Sequence, residues 1–212
     1  MPEFDTLTIV THPLVQHKLS LMRDKTCPSQ DFARLLTEIS MLMAYEVTRN
    51  LAVTTTAVET PLEVMDAPTL VGKKMALISI LRAGNGMLDG MRAVIPAARV
   101  GFVGLYRNEE TLEPVDYYLK LPSHLSQRYV IALDPMLATG NSAAAAVDKI
   151  KSEGAVDISL TTLLAAPEGV RAFAARHPDV PIFTASLDRG LNEKGYILPG
   201  LGDAGDRIFA TK

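Results

Sequence analysis

Residues 129–142 read YVIALDPMLATGNS. An apolar, strand-like run, Tyr129–Leu133, stops at Asp134. A turn-rich segment follows, with Thr139, Gly140, Asn141 and Ser142, and then AAAAVDKIKSEG, an alanine-led helix. Strand, acid, small hydroxylic loop and helix N-terminus form the layout of an anion cradle. The first backbone N–H groups of a helix have no internal partners, and the dipole favours negative charge there. A phosphate on this loop gains several N–H donors and the hydroxyls of Thr139 and Ser142. Asp134, at the carboxyl end of the strand, then reaches ribose hydroxyls or a metal. The reading is a site for a phosphorylated sugar, although the loop alone is equally an ordinary βα turn with a Ser/Thr cap. Walker-type and dinucleotide-binding loops are disfavoured, because neither G-x-x-x-x-G-K-S/T nor a helix-opening G-x-G-x-x-G is present.

Outward from this stretch the chain alternates. Met75–Leu81, Val100–Tyr106, Ile158–Leu164 and Val180–Thr184 are further strand-like runs, and Gly86–Val94, Ser142–Lys151 and Glu168–Arg176 read as helices. The expectation is an α/β fold with a mainly parallel central sheet flanked by helices. Ligands in such sheets bind at the carboxyl ends of the strands. Nearer the N-terminus, Phe32, Leu35, Leu36, Ile39, Leu42, Met43 and Val47 carry the spacing of an amphipathic helix. His12–Arg23 reads as a shorter helix. This helical arm, about 1–50, is expected to form an extra layer or a subunit contact, with His12 and His17 in surface or capping roles. Residues 107–122, RNEETLEPVDYYLKLP, are too long for a usual βα connection of ~2–6 residues. They predict a flexible β-arm or active-site lid, in preference to a disordered surface excursion, because the segment leaves a candidate active-site strand end. The whole, 1–212, reads as one domain.

Two further stretches break the tie over the phosphate loop. In SILRAGNG (79–86), a buried strand runs into Arg82 among small residues, and Arg107 ends the next strand. Either arginine alone fits a surface ion pair with Glu109, Glu110 or Asp89. Two at neighbouring strand ends, beside Asp134, make a clamp for a diphosphate. GYILPGLGDAGDR (195–207) holds four glycines and one proline around Asp203 and Asp206. Such a segment presents bare backbone N–H and C=O groups, which match the acceptor–donor–acceptor edge of a pyrimidine and leave little room for a purine. It is also compatible with a simple tight turn.

Composition sets outer bounds. The 212 residues carry a net charge of −3, 48% hydrophobic residues and a single cysteine, Cys27. No basic block points to nucleic acid, and a lone cysteine forms no intramolecular disulfide. There is no apolar run of ~20 residues and no secretory leader pattern. The expectations are no membrane span, a cytoplasmic protein and a non-catalytic thiol.

On SILRAG (79–84), YRNEETLEPV (106–115), DPMLATGNS (134–142) and GYILPGLGDAGDR (195–207), the chain resembles the uracil phosphoribosyltransferases, of the type I phosphoribosyltransferase fold with its small hood and β-arm. The resemblance implies transfer of the 5-phosphoribosyl group of phosphoribosyl diphosphate (PRPP) to N1 of uracil, giving UMP and pyrophosphate. It implies PRPP binding by Arg82, Arg107, Asp134, Pro135, Met136, Leu137, Ala138, Thr139, Gly140, Asn141, Ser142 and Asp203. Uracil would meet Tyr196, Ile197, Gly202, Asp203 and Ala204. Arg82, Arg107 and Asp203 are the expected catalytic residues, with Mg²⁺ bound mainly through PRPP rather than by a protein metal site. A homodimer or higher homo-oligomer and a GTP effector are also implied. Asn141 stands where the family loop has a second glycine; Asn tolerates positive φ, and PRPP affinity is the property in question there. The alternatives are a purine phosphoribosyltransferase and a non-catalytic nucleotide- or RNA-binding regulator on the same fold.

Overall fold

The structure, a computed structural model, describes residues 4–72, 75–107 and 114–211; at 106, 107 and 114–116 it describes the backbone alone. In chain order the elements are β1 (Leu7–Ile9), α1 (Pro13–Arg23), α2 (Ser29–Val47), β2 (Val53–Glu59), β3 (Val64–Leu70), β4 (Ala76–Leu81), α3 (Asn85–Val94), β5 (Arg99–Arg107) and β6 (Pro114–Lys120). They continue with β7 (Tyr129–Leu133), β8 (Met136–Leu137), α4 (Asn141–Ser152), β9 (Asp157–Ala165), α5 (Pro167–Arg176), β10 (Ile182–Leu187), β11 (Gly190–Leu191), β12 (Ile197–Leu198) and α6 (Ala204–Phe209).

The main sheet runs β1-β10-β9-β7-β4-β5-β6, with β8 also paired to β9; every pairing is parallel except β5 with β6. Its central strands are buried on both faces, which is why they read as mainly apolar runs, interrupted only by small hydroxyl residues such as Ser79, Ser159, Thr161 and Thr162. Successive residues alternate between two cores. Leu77, Ile131, Leu133 and Leu163 pack with α1, α2 and α3, while Ala76, Ile78, Val130, Ala132 and Leu160 pack with α4 and α5. In α4, Ala143, Ala144 and Ala146 are buried, and their small side chains let the helix lie close to the sheet.

The strand order creates the site. The chain steps from β4 outward to β5, then returns to the other side of β4 as β7 before moving on to β9 and β10. The helix after β4 lies in one core and the helix after β7 in the other. Their connections diverge to opposite faces and leave a crevice between the carboxyl ends of β4 and β7, the position where open α/β sheets hold ligands.

The expected strands and helices are all present, most with ends within two residues of those read from the sequence. Residues 4–50 form a layer of the fold, tied to the sheet through β1. His12 caps α1, its Nδ1 accepting the Leu14 N–H at 3.2 Å, and His17 is exposed. The apolar stripe of α2 is spent inside the subunit, because Phe32, Leu35, Leu36, Ile39, Met43 and Val47 are all buried. Any subunit contact through α2 would have to use its other face, where Met41 and Tyr45 are exposed. In the 107–122 segment, β6 lies antiparallel to β5, with Arg107 opposite Pro114; residues 108–113 lie outside the described residues. The features that went unread in the sequence include the three-residue edge strand β1, the separate β2–β3 hairpin, the short strands β8, β11 and β12, and α6.

Candidate active site

The segment after β7 does not form a plain loop. Asp134 N–H bonds to Thr161 O, and the Pro135 carbonyl accepts the N–H groups of Leu163 and Leu164 at 3.0 and 2.9 Å. Met136 and Leu137 then pair with β9 as β8. These bonds lock the start of the cradle to the sheet. Pro135 is buried and lines neither cavity described below. At the far end, Gly140 is the N-cap of α4 with φ +84°, and a Cβ there would stand 2.6 Å from Gly169 O. Asn141 is the first helical residue, exposed, and not among those with positive φ. The left-handed position is thus Gly140, and the backbone asks nothing unusual of Asn141.

Two adjoining cavities share a wall at this point. The smaller, about 110 Å³, is lined by Asp134, Met136, Leu137, Ala138, Thr139, Gly140 and Ser142. The other, about 240 Å³, brings Asp134, Met136 and Ala138 against Tyr196, Ile197, Gly202, Asp203 and Ala204, with Ala83 from the end of β4. It lies just below the ~300–1,000 Å³ of sites for drug-sized ligands, a size that suits a single small ring. Its lining also includes Gly195 and Gly205, which the sequence reading did not single out. A cleft of about 260 Å³, lined by Ser126, Gln127, Arg128, Tyr129 and Asp157 among others, lies at the amino ends of β7 and β9, away from these loops.

Arg82 directly precedes Ala83 and is exposed, and the Leu81–Arg82 peptide is cis. Arg107 ends β5 on the same side of the sheet. Its side chain lies outside the described residues, so the expected pair of arginines is seen only in part. Asp134 is partly exposed. Burial pushes its carboxyl up to about 7, against the opposing hydrogen bond that Oδ1 accepts from Met136 N–H at 3.3 Å. Asp203 is the N-cap of α6, with Oδ1 accepting the Asp206 N–H at 2.9 Å.

The glycine-rich tail is held by charged groups remote in sequence. Asp188, only 3% exposed at its side chain, meets Arg23 at 2.6 Å. It also accepts Ser186 Oγ–H and Gly200 N–H. Burial raises its carboxyl, but the bonds from Arg23, Ser186 and Gly200 outweigh that and hold it below the usual carboxylate range. Arg207 donates to the carbonyls of Leu201, Met22 and Asp24, with its guanidinium 4.4 Å from the Phe32 ring centroid. Sequence reasoning missed Arg23 and Asp188, which are 165 residues apart. No local pattern could have joined them.

Comparison with known proteins agrees with this geometry. A family model described as uracil phosphoribosyltransferase matches residues 9–211. The chain is 62% identical over 206 residues to a uracil phosphoribosyltransferase of Mesorhizobium japonicum, covering 97% of this chain and 99% of that one. It is 64% identical to that of Paracoccus denitrificans, covering 97% and 98%. Among solved structures, the AQ2163 protein of Aquifex aeolicus superposes with a TM-score of 0.91 at 36% identity, covering 97% and 99%. A hypoxanthine-guanine phosphoribosyltransferase of Bacillus anthracis, with a TM-score of 0.52 and 14% identity over 76% of this chain and 80% of that one, shares the fold alone.

Proposed function

This chain belongs to the uracil phosphoribosyltransferase family, and from that premise we propose how its residues carry the reaction. It transfers the 5-phosphoribosyl group of PRPP to N1 of uracil, with UMP and pyrophosphate as products. The observation that supports the assignment best is the wall common to both cavities. Asp134, Met136 and Ala138 face the cradle on one side and the glycine-rich tail on the other. A sugar seated at Asp134 would have its phosphate in one cavity and a base in the other.

The 5-phosphate takes the N–H groups of residues 136–142 and the Thr139 and Ser142 hydroxyls. The Asp134 carboxylate accepts from the ribose hydroxyls. Arg82 and Arg107 bind the diphosphate, where negative charge builds as the bond to C1 breaks. Main-chain groups of Ile197, Gly202 and Ala204 read the uracil edge and hold N1 in line with C1, chiefly a positioning effect. Tyr196 flanks the base, and Asp203 orients it through the oxygen not engaged at the start of α6. The 107–122 arm covers bound PRPP and keeps water from the sugar cation. Asp134 and Asp203 line one cavity, and one or two carboxylates with substrate oxygens suit Mg²⁺. When bound with PRPP, Mg²⁺ supplies further charge stabilisation to the leaving diphosphate.

We also assign the protein to the cytoplasm and to a homo-oligomer, with GTP as a candidate effector. Among the described residues no helix is long and apolar enough to cross a membrane. The decisive experiment compares PRPP- and Mg²⁺-dependent release of pyrophosphate with uracil, hypoxanthine and orotate. UMP formation with uracil alone is expected. Turnover of hypoxanthine but not uracil would reject the assignment.

A further inference from the structure

We propose that Arg23 is a positioning residue for the base-binding loop, acting through Asp188 and Gly200 to set the affinity for the pyrimidine and not for PRPP. The inference rests on the functional reading above and concerns the same site. Arg23 is the last residue of α1 and lines neither cavity. Its guanidinium nevertheless reaches the loop between β12 and α6. Nη1 donates to Asp188 Oδ2 and to Gly200 O, both at 2.8 Å, and Nη2 donates to Asp188 Oδ1 at 2.6 Å and Ser186 Oγ at 3.2 Å. Asp188 Oδ2 accepts the Gly200 N–H at 2.9 Å. Both backbone groups of Gly200 are therefore fixed by one ion pair.

This matters because the loop has no ladder of its own: apart from the Arg23 fork, the Arg207 bond to Leu201 O and the buried Leu201 side chain hold it, and neither touches Gly200. Residues 199–203 belong to neither a strand nor a helix. Pro199 contributes no N–H. Gly200 lies between Ile197 and Gly202, two of the groups proposed to meet the base edge. A backbone that reads a ligand by hydrogen bonds must be held to within a fraction of an ångström, and at Gly200 that support comes from the Arg23 fork. The fork is specific to arginine. Its planar donors serve two carboxylate oxygens, a carbonyl and a hydroxyl together, which a lysine ammonium does not match. The 5-phosphate cradle is tied instead to β9 through Pro135 and β8. A fault at Arg23 should therefore reach uracil without reaching PRPP.

The test uses Arg23→Lys and Ser186→Ala in the full chain, with KM for uracil, KM for PRPP and kcat measured on variants whose circular dichroism matches the wild type. Arg23→Lys is expected to raise the uracil KM about tenfold, the scale of one lost charge-assisted hydrogen bond, with the PRPP KM and kcat within about twofold of wild type. Ser186→Ala, which leaves the ion pair intact, is expected to shift the uracil KM in the same direction by less. Should Arg23→Lys fail to fold, Ser186→Ala alone decides. Unchanged uracil KM, or equal increases for both substrates, overturns the inference while wild-type turnover of uracil leaves the functional reading standing. A wild type that does not use uracil removes both.

Discussion

Asp134 carries a cost that the proposed ribose contact would offset. Burial pushes its carboxyl up to about 7, well above the ~3.9 of an unperturbed Asp. The folded protein therefore binds this proton more tightly than the unfolded chain does. The stability it contributes is fully present below the unfolded value and is lost as pH rises through about 7. Asp134→Asn cannot ionise, so its melting temperature relative to wild type should climb between pH 5 and pH 8; a flat difference would show that burial of this carboxyl does not govern stability. The proposed bonds from ribose hydroxyls are stronger to the ionised form, since charge-assisted hydrogen bonds exceed neutral ones. Wild-type PRPP affinity should accordingly fall as pH drops below about 7, while the weaker affinity of Asp134→Asn lacks that component. Gly202 gives a second residue-level case. Its φ is +83°, and a Cβ would meet only Arg207 Cδ at 3.9 Å. Strain rather than collision limits the position, and a β-branched residue is a genuine outlier at such a φ. Gly202→Val should abolish uracil turnover in a folded protein that still binds PRPP, and retention of near-normal uracil KM and rate would displace the base site.

At the scale of elements, legibility follows burial. β4 and β7 were readable because both faces are buried and nearly every residue is apolar; β9, with Ser159, Thr161 and Thr162 buried within it, was readable from its β-branched and aliphatic residues. α2 was readable because its buried positions keep helical spacing. β1 was not, since three residues at a sheet edge, with Ile9 40% exposed, give no periodicity and depend on a partner, β10, that lies over 170 residues away. The β2–β3 hairpin escaped for a related reason. It faces no core in this subunit, and its turn is closed by the Thr60 hydroxyl accepting the Leu62 and Glu63 N–H groups rather than by an Asn-Gly pair. Much of the candidate site was legible because its loops carry uncommon residue strings, whereas the Arg23–Asp188 support was not, because it exists only after folding. The α2–α3 contact is a testable product of packing. A Cβ on Gly90 would stand 2.2 Å from Thr37 O and 2.7 Å from Ser40 Cβ, so neither helix can stay in place. Gly90→Ala should lower stability by about 1–3 kcal/mol, the usual cost of overpacking, which a denaturant midpoint would register. An unchanged midpoint would mean that the helices separate freely.

For the molecule as a whole, the β2–β3 hairpin is the part that one subunit does not explain. Two antiparallel strands alone are marginal in water, and here nearly every residue of both is exposed. The register places Val53, opposite Leu70, on the same face as Val64, opposite Glu59. Val53 is 63% exposed and Val64 67%. Exposed apolar groups gathered on one element mark a surface that something covers, and a second copy of this chain fits the proposed homo-oligomer. Sedimentation at micromolar concentration should then give a particle of at least twice 22.9 kDa. Replacing Val53 and Val64 together by lysine should shift it towards the single-chain mass without altering circular dichroism, because neither side chain is buried within the subunit. A second exposed apolar surface, the groove lined by Met41, Tyr45 and Val94, provides the contrast. If the lysine variant keeps its mass, the hairpin is not the contact and the groove becomes the surface to substitute next. If the wild type already sediments near 22.9 kDa, the chain is a monomer and the hairpin stands free in solution.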